Sequence, residues 1–316
     1  MVTIKRSVIQ IANSTQLISL PRKWSQKYGV KKGDELEIEE NGSKLLIGTE
    51  KSADLKSIDI DVTGLDRTSI LYFILALYKI GYDEITVKFN DPFTFHYRTN
   101  ERKNVISVIH EVVNRLTGFE IIQQKENFCL IKDISEVSNK EFDSALRRVF
   151  LLLMDTSRDL LEAAKNKNLT LADTIEEKHN TVMKFISYCL RILNKRGHPD
   201  YNKTIIIYHI VSNVDKIADV LKYAARDLVK FKLNFSKEAL QILDGINNSI
   251  EKYYEFFYKF DPKKIKELYE DRNRILESIR KITKKSSPIE VLYLTSISSI
   301  LEIITDITEA RIGLEY

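Results

Sequence analysis

The chain has 316 residues, 43% hydrophobic and 30% charged, and its 49 Lys and Arg against 45 Asp and Glu leave a net charge of +4. That length carries one to three domains with sizeable cores and excludes a disulfide-stapled miniprotein, while so small a net charge identifies no partner. Cys129 and Cys189 stand alone without a partner motif, no apolar run reaches roughly 18 residues and no signal-peptide core opens the chain, so a cytoplasmic protein without a membrane span is expected.

Charge is distributed unevenly. Residues 1–33 carry Lys5, Arg6, Arg22, Lys23, Lys27, Lys31 and Lys32 with no acid, and six acids then follow between Asp34 and Glu50. The β-branched Ile4, Val8 and Ile9 predict a strand over Thr3 to Ile11, followed by a turn at Asn13-Ser14-Thr15 and a second strand from Gln16 to Leu20. Pro21 suits the opening of a short helix from Arg22 to Tyr28, and Gly29 suits a left-handed cap. Glu35 to Glu39, with Leu36 and Ile38 inward, and Lys44 to Ile47 predict a hairpin around Asn41-Gly42. A ββαββ unit of about 50 residues buries little core alone, so it is expected to dimerise.

From 51 to 138 strands and helices alternate. The pattern predicts strands at Ile58 to Val62 and Glu84 to Phe89, helices at Asp66 to Ile80 and Arg102 to Leu116, and a closing hairpin of Phe119 to Ile122 with Phe128 to Ile131. Such alternation implies a small α/β layer domain. It contains no Gly-rich phosphate loop and no Ser/His/Asp set, and reads as a connector.

Beyond Asn139 the pattern is helical, with breaks at Arg196-Gly197-His198-Pro199, Asn234-Phe235-Ser236, Asp261-Pro262 and Ser286-Ser287-Pro288. These cut residues 139–316 into six helices, over 139–166, 169–196, 200–230, 236–260, 262–285 and 288–312. An offset of 87 residues carries Asp215 to Glu302 and Asp219 to Asp306, and places Ile210, Val214 and Ile217 over Ile297, Leu301 and Ile304. A three-helix unit repeated over 139–233 and 234–316 accounts for this. Carboxylates four apart share one helix face, a geometry that can hold a cation or simply face water. His179, His198 and His209 do not converge with these acids on any clear spacing, and His209, beside Tyr208 in an apolar run, reads as a core residue. With no nucleophile in view, the chain reads as a non-enzyme with no catalytic residues.

Two resemblances sharpen this reading. The run Leu17 to Lys23 (LISLPRK), the Gly29-Val30-Lys31-Lys32-Gly33-Asp34 turn and the closing apolar strand resemble the AbrB/MazE swapped-hairpin family over residues 3–48. The resemblance implies a barrel interleaved from two chains, a homodimer, and DNA contacts by Lys5, Arg6, Arg22 and Lys23. Asn13-Ser14 stands where that family commonly has a glycine before its second strand.

The runs Asn213 to Asp219 (NVDKIAD) and Ile300 to Asp306 (ILEIITD) look like the E/D-x-x-x-D signature that the PhoU family bears once per three-helix bundle, and this resemblance covers about 140–312. It implies phosphate-uptake regulation of the archaeal type, divalent or iron-type metal ions at Asp215, Asp219, Glu302 and Asp306, and a phosphate transporter ATPase or another phosphate-signalling protein as partner. The pattern departs on the second helix of each repeat, where Lys178 follows Glu176 and Arg272 follows Glu270 in place of an acid.

The expected whole is a multidomain α+β protein. It comprises a DNA-binding swapped-hairpin β-barrel (1–50), an α/β connector (51–138) and an all-α pair of three-helix bundles (139–316), acting as a transcriptional regulator. The rival expectation is an accessory regulator that docks on a phosphate transporter and uses the barrel only to dimerise.

Overall fold

The computed structural model describes residues 4–11, 15–41, 43–49, 55–135 and 140–316, and the chain divides into two units, residues 1–56 and 57–316.

The first unit pairs β1 (Ile9–Ile11) with β2 (Thr15–Leu17) and β3 (Glu37–Asn41) with β4 (Lys44–Gly48), both antiparallel. Between them lies α1 (Arg22–Lys27), whose first turn closes when Ser25 N donates to the Pro21 carbonyl at 3.0 Å, and Gly29, at φ +61°, ends it in the left-handed region. The first strand is shorter than expected: Ile4 to Val8 form no ladder, and β2 stops at Leu17. Of the two expected turns, Asn13, Ser14 and Gly42 lie outside the described residues. Asn41 pairs with Lys44 at the end of the second hairpin's ladder.

No closed barrel forms among the described residues of this unit. The expected inward Ile38 is 61% exposed, and no described residue of the unit is buried. The physical reason is size, since two two-stranded hairpins present one apolar face each and have nothing of their own to cover it.

In the second unit β5 (Ser57–Asp61), β6 (Glu84–Lys88), β9 (Phe119–Lys125) and β10 (Phe128–Asp133) form a sheet in the order β5-β6-β10-β9. β5 and β6 run parallel, joined by α2 (Arg67–Ile80), and the other two pairings are antiparallel. Asp66 caps α2 by accepting from Thr68 N and Ser69 N, and Gly81 closes it at φ +100°. Ile70 and Ile74 of α2 and Val108, Ile109 and Val112 of α3 (Val105–Val113) cover Ile85, Val87, Cys129 and Ile131 on one sheet face.

One hairpin here departs from expectation. β7 (Phe93–His96) pairs with β8 (Glu101–Asn104), and β8 takes the first residues of the segment expected as helix, because Asn104 caps α3 and so starts it three residues later than Arg102.

The helical region follows the expected cuts closely. It contains α4 (Lys140–Asn166), α5 (Leu169–Arg196), a 3-10 turn (Tyr201–Lys203), α6 (Thr204–Phe231), α7 (Lys237–Tyr258) and α8 (Pro262–Ile282). The expected start at Asn139 lies outside the described residues. Asn168, Ser236, Asp261 and Ser287 each accept backbone N–H bonds at a helix start, and Pro262 and Pro288 occupy first positions where no N–H is needed. The last expected helix is two, α9 (Pro288–Ile297) and α10 (Ser299–Gly313), meeting at Ser298.

By length and composition Pro288–Gly313 is apolar enough to cross a membrane, although no uninterrupted apolar run that long was expected. Leu294, Ile297, Ile300 and Ile304 of this segment lie in the helical core, as the buried face of a core helix does.

Arg191 of α5 joins this region to the α/β layer. Fully buried, it donates from Nη1 to the carbonyls of Tyr78 (2.8 Å) and Tyr82 (2.7 Å) and from Nη2 to Asp133 (2.5 Å) and Asp83 (3.3 Å). Its guanidinium lies 4.9 Å from the ring centroids of Tyr78 and Phe119.

Candidate nucleic-acid interface and carboxylate rows

Lys5 and Arg6 precede β1, Arg22 and Lys23 open α1, and all four are exposed. Among the described residues none of the four forms an ion pair. Around them Val8, Ile9, Ile11, Leu17, Ile18, Ile38 and Leu45 are 45–62% exposed. Ile9 pairs with Leu17, and Ile38 with Ile47, so each hairpin carries aliphatic side chains on one face. Trp24 and Tyr28 are half-buried and pack against each other with tilted rings, centroids 5.4 Å apart and planes 50° to one another.

In the helical region Asp215 and Asp219 lie one turn apart on α6, as expected, and their partners are basic. Asp219 accepts from Lys222 and lies 3.0 Å from His179 Nε2 of α5, while Asp215 stands 3.9 Å from Lys79 of α2. His179 thus converges on Asp219, against the sequence expectation. The contact links two antiparallel helices whose register the 40-residue separation does not reveal. His209, expected in the core, is exposed beside Asn213.

Burial alone raises both α6 carboxyls, and their surroundings then separate them. The His179 and Lys222 hydrogen bonds bring Asp219 down to about 2. Asp215 has one carboxylate oxygen buried without a hydrogen bond, and its pKa is raised by burial despite the charge of Lys79.

Glu302 and Asp306 lie one turn apart on α10. Arg272 donates to Glu302 at 2.6 and 3.1 Å, and Asp306 is exposed. Among the described residues no three His, Cys, Asp or Glu side chains gather where they could hold a metal ion. The multinuclear cluster implied by resemblance needs several anionic oxygens free of competing cations. With Lys222 on Asp219 and Arg272 on Glu302, the residues present do not fit that group.

Residues 9–54 match the family model of MazE, the bacterial antitoxin of antidote-toxin recognition. The match covers the two hairpins and α1 of the first unit. No curated protein matches the chain. The crystal structure of a PhoU-like phosphate regulatory protein from Shewanella oneidensis MR-1 aligns with 54% of this chain and 96% of its own, at 11% identity and a TM-score of 0.37.

Proposed function

We propose that the protein is a DNA-binding transcriptional regulator of phosphate uptake. Its first unit pairs with that of a second chain to complete a swapped-hairpin barrel, Lys5, Arg6, Arg22 and Lys23 contact phosphates, and the helical region receives the phosphate-status signal. The observation carrying this reading is the first unit itself, in which an acid-free basic stretch over residues 1–33 leads into hairpins that the MazE model matches over 9–54 and whose aliphatic faces stay open in the single chain. Covering the exposed halves of seven aliphatic side chains contributes on the order of 7 kcal/mol per chain in favour of pairing. The phosphate assignment is supported by the acid pair repeated at an offset of 87 residues.

The test is fluorescence anisotropy of the full chain on its own promoter and on random duplex at two salt concentrations. Binding that weakens steeply with salt, and weakens further for Arg22→Ala with Lys23→Ala, supports the reading. A flat salt dependence overturns it, leaving the transporter-docking accessory regulator as the better account. Genome-wide occupancy with and without phosphate tests the signal.

A further inference from the structure

Several carboxylates of the helical region are met by basic side chains of the same region. On α4, Asp155 and Asp159 stand one turn apart, and the ammonium of Lys178 on α5 lies 2.5 Å from Asp155 Oδ2 and bonds Asp159 Oδ2 as well. In the other half, Glu267 and Asp271 stand one turn apart on α8, and the ammonium of Lys252 on α7 lies 3.4 Å from the first and 2.5 Å from the second. Arg226 forks Glu176 at 2.7 and 2.6 Å. Lys222 holds Asp219, and Arg272 holds Glu302.

A lysine bridging two carboxylates at i and i+4 occupies the place that a shared hard cation takes between such a pair. It supplies positive charge there and repels any divalent ion that approaches. We infer that Lys178 and Lys252 are the resident cations of the carboxylate rows, one in each half, so that the helical region is balanced and held together by its own ammonium groups and works without a metal ion. Burial by itself lowers both ammonium groups, but the paired acids outweigh it and raise Lys178 and Lys252 above the ordinary lysine value, which keeps both charged. Both bridges join neighbouring helices, α4 to α5 and α7 to α8, so each also fixes a helix pair.

The experiment uses the full chain purified without chelator, with elemental analysis and thermal melting in EDTA, in zinc and in manganese. Substoichiometric metal and one melting midpoint in all three solutions are expected. Lys178→Met and Lys252→Met lower the midpoint, and Lys178→Arg retains it. Should Lys178→Met fail to fold, Lys252→Met in the other half reads the same property. Stoichiometric metal in the wild type, a midpoint that falls in EDTA, or unchanged melting of both Met variants overturns the inference. No DNA enters the measurement, so its outcome is independent of the DNA-binding reading.

Discussion

Arg191 Nη2 lies 2.5 Å from Asp133 Oδ2, although one belongs to a long helix and the other to the last residue of the sheet strand β10. Both side chains are almost wholly withdrawn from water, at 0% and 5% exposure. A buried ion pair is costly to break from one side, because the remaining charge stays uncompensated. Arg191→Met removes the four hydrogen bonds that reach two carbonyls and two carboxylates. It is expected to destabilise the second unit by about 3–5 kcal/mol in urea unfolding, and Arg191→Lys recovers only part because an ammonium cannot form the fork.

Asp219 makes acid stability informative. The folded-state pKa of about 2 lies below the unfolded carboxylate value, so the associated stabilisation is complete above pH 4 and is lost as pH falls towards 2. Its side chain is 43% exposed, so screening reduces the contribution to about 1 kcal/mol. Asp219→Asn is expected to lower the melting midpoint at neutral pH and to flatten this acid limb. Asp215 has the opposite sign, since its raised pKa favours the protonated form in the fold. Asp215→Asn is therefore expected to melt no lower than the wild type at neutral pH.

Gly81 ends α2 at φ +100°, and a Cβ there would lie 2.6 Å from Lys195 Cγ. Both the backbone conformation and the close approach oppose a side chain. Gly81→Ala is expected to cost about 1–3 kcal/mol, read as a lower urea midpoint.

For the first unit, four basic residues per chain give eight in a dimer. If each neutralises one phosphate, the logarithm of the binding constant falls against the logarithm of salt with a slope near −7. Arg22→Ala with Lys23→Ala is expected to reduce that slope by about 4.

Pairing of the first units is checked by light scattering. Ile9→Asp with Ile38→Asp places charge on both open hairpin faces and is expected to shift the full chain towards monomer and to weaken DNA binding in parallel.

The helices were legible because their ends are written in local chemistry. Asn168 and Gly197 bracket α5 at the expected bounds, and Asp261-Pro262 does the same for the start of α8. The β7–β8 hairpin was not, because Glu101 to Asn104 is a polar run that reads equally well as the first turn of the helix following it. At the carboxylate rows, the i, i+4 spacing located the acids, and the same sequence showed Lys178 and Arg272 near them. What it could not show was which acid each base meets, since Lys178 reaches back to α4 and Arg272 forward to α10. Arg191 lay hidden for a related reason: an arginine within the apolar run Ile186 to Leu193 gives no sign that backbone carbonyls 109 and 113 residues away await it.

The Arg191 contact also determines what α5 can transmit. Lys178 and Arg191 are separated along that helix by about 20 Å, with the first gripping α4 and the second gripping the end of α2 and the sheet. A helix clamped at both places behaves as a stiff rod. Any shift of α5 therefore has to be accommodated at two places at once, against α4 at one and against Asp83 and Asp133 beside the inner strands β6 and β10 at the other.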